Sequence, residues 1–141
     1  MKLVLDTSIY IGFAAAEPEV VEFLATRGEQ LFLPSIVLGE LHFGFLKGRR
    51  QEFNQKKLGQ FIACLDVKIV RVDEDVARKY GLIYLSLQKK GTPLPIDDVW
   101  IGACCMATGG TLLTKDRHFE EIEQIDTVVL EQPVPPPGRR R

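Results

Sequence analysis

The sequence predicts an α/β fold with a mostly parallel central sheet of four to five strands flanked by helices. Three observations carry that expectation. Short apolar runs such as LVL at 3–5, LFLP at 31–34 and TLLT at 111–114 have the length of buried strands. Segments with helical apolar spacing stand between them. Strands alternating with helices pack as a parallel sheet covered on both faces.

Element by element, LVL is the first strand, and Asp6 ends it. PEVVEFLATRG is a helix, with Pro18 in its first turn and Gly28 at its C-terminal cap. LFLP is the second strand. SIVLGELHFGFLKG is a helix with Ser35 as its N-cap. Residues 50–65 form another, with Phe53, Leu58, Phe61, Ile62 and Leu65 roughly on one face. VKIVRV is a third strand. DEDVARKYGLIYLSLQKKG is the clearest amphipathic helix, with Val76, Tyr80, Ile83, Tyr84 and Leu87 on one side, acids at its start and lysines at its end. GTPLPI is a loop. DVWIGACCMATGG is a helix apolar on nearly all sides and therefore buried. TLLT, a short helix HFEEIEQ and a last strand DTVVLE complete the domain, residues 1–132. The Pro/Arg-rich segment 133–141 has no regular structure to form and reads as a loose tail.

With 141 residues and 45% hydrophobic composition, the chain has one domain's worth of core. No apolar run is long enough for a membrane span, and Asp6 interrupts any secretory-signal pattern. Three cysteines, two of them adjacent, make no disulfide framework and no CxxC zinc knuckle, so the expected location is the reducing cytoplasm. Net charge is −1, which gives no bulk attraction to nucleic acid. Its distribution is uneven. KGRRQEFNQKK, residues 47–57, holds five basic residues against one acid. That run is either a solvated helix face or a phosphate-contacting patch made of Lys47, Arg49, Arg50, Lys56 and Lys57.

Acids stand at the ends of elements. Ligands in α/β sheets gather beyond the carboxyl ends of the strands. Asp6 follows LVL, Asp116 follows TLLT, and Asp98 opens the buried helix. Glu40 sits among apolar residues in SIVLGEL, where an inward position demands a partner. Asp6 has two readings, helix N-cap and site carboxylate. If the four acids converge, they repel one another unless a cation sits among them. Lys115 is the obvious basic residue built into these motifs, and strand alternation turns it away. A hard divalent ion, Mg²⁺ or Mn²⁺, takes oxygen ligands and keeps waters for a phosphodiester substrate. Thr7, Ser8 and Thr114 offer hydroxyls to orient ligands or water. His42 and His118 read as packing or surface residues.

LVLDTS, the Glu of SIVLGEL, GTPLPIDDVWIGA and TLLTKDRHF, in this order and spacing, resemble the PIN-domain ribonucleases. They are most similar to the VapC-type toxins of toxin–antitoxin pairs, over residues 2 to about 131. The resemblance implies a metal-dependent endoribonuclease with Asp6, Glu40, Asp98 and Asp116 as the catalytic, metal-holding acids and Thr114 as accompanying hydroxyl. It implies RNA as substrate, a cognate antitoxin protein and a homodimer as partners. Asp97, often Asn in relatives, is an N-cap or an outer ligand. Gly102 stands where relatives usually have Ala. One rival is a catalytically silent PIN-like module that binds RNA or protein. Aspartyl-phosphate chemistry of the haloacid-dehalogenase kind needs a second Asp at the position of Ser8. A receiver domain needs a phosphoacceptor after a strand, and Asp66 precedes one.

Overall fold

The structure is a computed structural model that describes residues 1–131. The tail predicted at 133–141 lies outside the described residues. Five strands form one sheet: β1 (Lys2–Leu5), β2 (Gln30–Pro34), β3 (Lys68–Val70), β4 (Thr111–Thr114) and β5 (Asp126–Val129). Their order across the sheet is β3-β2-β1-β4-β5, and every pairing is parallel. Six helices accompany them: α1 (Thr7–Ala14), α2 (Pro18–Arg27), α3 (Ser35–Lys47), α4 (Gln51–Cys64), α5 (Glu74–Lys90) and α6 (Ile96–Thr108). A 3₁₀ turn, η1 (Arg117–Glu121), joins β4 to β5.

The apolar runs are strands because both faces of the sheet are covered. Leu3, Val4, Leu5, Leu33, Leu112 and Leu113 are all fully buried. A parallel sheet in this position wants continuous rather than alternating hydrophobics. The strand order makes β1 and β4 the pair where the chain reverses its direction of travel across the sheet. Crevices at such switch points are the usual ligand sites of open α/β sheets. Leu5 pairs with Leu113 in register, so the ends of β1 and β4 finish side by side.

α6 is as buried as its composition requires: Val99, Ile101, Gly102, Ala103, Cys104 and Cys105 are inside. It packs against α5 and α3 and against β2 and β4. At Gly102 an alanine would need the tip of one neighbouring side chain to shift. A Cβ there would lie 2.7 Å from the buried Ile122 Cδ1. Burial pushes the Cys104 thiol up to about 11 and that of Cys105 up to about 12, so both behave as small core residues.

Several local expectations differ from the structure. Ser35 does not cap α3. The N-cap is Pro34, without a side-chain bond, and Ser35 Oγ donates instead to the Val70 carbonyl at 2.9 Å, tying α3 to the edge strand. Phe53 and Leu65 do not share the buried face of α4; they are exposed, and Leu58 and Phe61 do the packing. Tyr84 likewise faces outward on α5. HFEEIEQ gives a 3₁₀ turn rather than an α-helix, and VKIVRV a strand of three residues. α1 was foreshadowed only by the capping reading of Asp6. It is short and ends without glycine: Ala16 takes the left-handed conformation at φ 56°. Glycine occupies that position without the Cβ clash. Ala16→Gly is therefore expected to stabilise the protein by about 0.5–1 kcal/mol, read as a higher midpoint in thermal or urea unfolding.

Candidate active site

Asp6 lies one residue beyond β1, and the N-cap reading holds. It is the N-cap of α1, its Oδ1 accepting from the Thr7 amide at 2.6 Å. It is also only 7% exposed, at the switch point of the sheet. Its other oxygen, Oδ2, accepts from Thr114 Oγ1 at 2.6 Å and Ser8 Oγ at 3.1 Å. These short bonds fix the carboxylate with almost no rotational freedom.

The hydroxyls do more than hold Asp6. Thr114 is fully buried at the end of β4, and its Oγ1 also accepts from the Asp116 amide at 3.0 Å. One hydroxyl therefore sets the spacing between the first and last acids. Ser8 Oγ accepts from the Lys115 amide at 3.2 Å and couples the same two loops a second time. Thr7 Oγ1 donates to Glu40 Oε1 at 2.5 Å, which draws the middle of α3 to the start of α1. Glu40 is thus half-buried and turned toward the site, as its apolar neighbours required.

Asp98 sits in the first turn of α6, where the helix dipole favours a negative charge. Repulsion opposes that. Burial first, then the nearby Asp6, Asp116, Glu40 and Asp97 carboxylates push Asp98 up to about 6. Asp6 is raised mainly by burial, although its hydrogen bonds counter this, and Glu40 is raised by burial and by Asp97 and Asp6. The four acids named from the sequence thus feel one another, and Asp97 joins them beside Glu40. Asp97 is not the N-cap of α6, a position held by Pro95.

Lys115 turns away from the cluster as expected. Its Nζ pairs with Glu17, and its side chain is 8% exposed. Among the described residues no lysine or arginine pairs with Asp6, Glu40 or Asp98. Among the described residues no group of three or more acid, Cys or His side chains is placed so as to hold a metal ion as it stands. The donors on offer are nevertheless all oxygen and mutually repelling. That fits a hard cation that keeps part of its water shell better than a softer metal in a tight cage. His118, set aside in the sequence, is exposed but lies 2.8 Å from Asp116 Oδ1 through Nδ1. The only sequence signal for that contact is its i+2 position after an acid opening a turn.

The raised carboxyl of Asp98 has a measurable consequence. A folded-state value above the usual 3.8 means that the native state binds this proton more tightly than the unfolded chain. That stabilisation is complete below about pH 4 and is lost as pH rises through about 6. Asp98→Asn removes the penalty. Without divalent ions, its stability advantage over the parent is expected to grow between pH 4 and 7, to on the order of 1 kcal/mol for this half-exposed group. Parallel urea titrations across that range check it.

The PIN domain family model matches residues 3–125. This chain belongs to the PIN-domain family. It is 30% identical over 135 residues to ribonuclease VapC2 of Rickettsia felis, spanning 93% of this chain and 97% of that protein. It is 26% identical over 125 residues to ribonuclease VapC4 of Mycobacterium tuberculosis, spanning 89% and 94%. Among solved structures, VapBC2 from Rickettsia felis bound to a DNA fragment from its promoter superposes with a TM-score of 0.82 at 26% identity, covering 92% of this chain and 98% of that one. DNA-bound VapBC from Salmonella typhimurium gives 0.80 at 27% identity with the same coverage. The superposed length is the whole PIN domain, with the switch-point crevice inside it.

Of the basic patch, Lys57 is partly spent inside this PIN domain. Its Nζ donates to the Ala14 carbonyl at 2.7 Å, closing the C-terminus of α1. Lys47, Arg49, Arg50 and Lys56 are exposed. No helix among the described residues is long and apolar enough to cross a membrane.

Proposed function

We propose that this PIN domain is the toxin of a toxin–antitoxin pair, an endoribonuclease that hydrolyses RNA phosphodiester bonds at the Asp6, Glu40, Asp98 and Asp116 cluster. The observation that carries the reading is the gathering of these acids near the switch point between β1 and β4, where burial and then the nearby Asp6, Asp116, Glu40 and Asp97 carboxylates push Asp98 up to about 6. Carboxyls perturbed by burial together with specific charged neighbours cluster at functional sites. Similarity to VapC ribonucleases over nearly the full chain supports RNA as the substrate.

Asp6, Asp98, Glu40 and Asp116 would hold Mg²⁺ or Mn²⁺, which supplies positive charge toward the phosphate and makes a bound water more acidic. The chain's own work is positional. Thr114 and Ser8 lock Asp6, Thr7 locks Glu40, and the Thr114 bond to the Asp116 amide fixes the last acid. Groups so placed need no reorganisation when the phosphodiester arrives. A carboxylate of the cluster receives the proton of the attacking water. Asp97, beside Glu40, belongs to the outer rim of the site.

Solved VapBC complexes support an antitoxin protein as the second partner, and we extend the assignment to a homodimer. Controlled expression in a bacterial host tests the toxin reading. Growth is expected to stop on induction of the parent chain and to continue with Glu40→Gln made at equal level. Normal growth with abundant, folded parent protein would refute it.

A further inference from the structure

Glu40, Phe43 and Lys47 occur at i, i+3 and i+7 of α3, so they lie along one stripe of that helix. At 1.5 Å per residue, Phe43 stands about 4.5 Å and Lys47 about 10.5 Å beyond the site carboxylate along the axis. Phe43 is 62% exposed, and Lys47 Nζ lies 4.9 Å from its ring centroid. A single exposed phenylalanine is unremarkable on a protein surface. This one carries a cation against its face, one helical turn from a cluster of acids. The following segment repeats the pairing, with the Arg50 guanidinium 3.9 Å over Phe53. The four exposed bases of residues 47–57, against one acid, favour a polyanion over an apolar peptide.

An RNA strand crossing the acids is repelled by them. Flanking phosphates therefore gain from cations placed just outside the cluster, and the adjoining bases gain from an aromatic face. We propose that Phe43 and Lys47 form a nucleotide subsite next to the reacting phosphodiester, with the base stacked on the Phe43 ring and its phosphate met by the Lys47 ammonium. This rests on the ribonuclease reading above and adds to it the residues that grip the strand. Stacking accepts any base, so the subsite contributes affinity and register rather than sequence choice.

The test uses the full chain carrying Asp6→Asn to stop cleavage, with Mg²⁺ present, and labelled single-stranded 12-mers of oligoadenylate and oligouridylate followed by anisotropy. Adding Phe43→Ala is expected to weaken oligoadenylate binding about ten-fold and oligouridylate less, while Phe43→Trp keeps it. Lys47→Ala is expected to lower the salt slope of binding by about one ion. In the chain with Asp6 intact, Phe43→Ala should leave the Mn²⁺-induced rise in melting temperature unchanged, which shows that the acid site still stands. Unchanged RNA affinity in Phe43→Ala would overturn the subsite. So would loss of antitoxin capture with RNA affinity intact, because the stripe would then be a protein-docking face. A lost Mn²⁺ shift would make Phe43 a structural residue. No RNA binding by the Asp6→Asn chain itself would instead count against the ribonuclease reading, and the subsite would go with it.

Discussion

Asp6→Asn is expected to give a folded protein whose RNA cleavage falls by about a thousand-fold or more, the loss typical when a charged group central to phosphoryl chemistry is neutralised. The fold should survive for a local reason. Asparagine caps helices as well as aspartate does, so the bond to the Thr7 amide can be kept. The amide NH2 then faces Thr114 and Ser8, whose hydroxyls can turn to accept from it. A buried charge disappears, which removes a desolvation cost. The mutation therefore separates activity from stability: circular dichroism and melting stay near the parent values while cleavage vanishes. Asp98→Asn should behave alike, with the added stability described above. Parent-level cleavage by either variant would remove that acid from the site.

Phe119→Ala carries the largest expected loss of stability. Phe119 is 1% exposed and anchors η1, the turn that Asp116 caps through its bond to the His118 amide at 2.9 Å. Truncating a fully buried phenylalanine typically costs about 3–5 kcal/mol. Against a usual total of about 5–15 kcal/mol, that is a large share. The same change loosens the seat of Asp116, so Mn²⁺ should raise the melting temperature of Phe119→Ala less than that of the parent. Calorimetry with and without the ion reads both effects. A melting temperature within two degrees of the parent would show that η1 is held by other contacts.

The layout was legible where physics acts locally. LVL, LFLP and TLLT are strands because Leu3, Leu33 and Leu112 have nowhere to go but a doubly covered sheet. Helices α2 and α5 follow from their end residues and apolar spacing, and α6 from its nearly all-apolar run. The opening stretch MKLVLDTS posed Asp6 as cap or site carboxylate; the structure shows the cap of α1 and sets it at the switch point, since a helix start and that crevice coincide at the end of β1. What sequence could not show depends on long-range partners. Ser35 looked like a cap until Val70, thirty-five residues away, took its hydroxyl. Thr7 was only a nearby hydroxyl until α3 brought Glu40 to it. Strand order was equally out of reach, and it is the order that places Asp6 and Asp116 side by side. Phe53 misled because its helical phase suggested the buried face, whereas it is exposed with the Arg50 guanidinium over its ring.

Cleavage of total cellular RNA by the purified chain, with Mg²⁺ or Mn²⁺ and then with EDTA, tests the central claim most directly. The account predicts discrete fragments that require the divalent ion and that fail to form with Asp6→Asn. Fragments that persist in EDTA, or that Asp6→Asn still produces, would contradict a metal-assisted site built on these carboxylates.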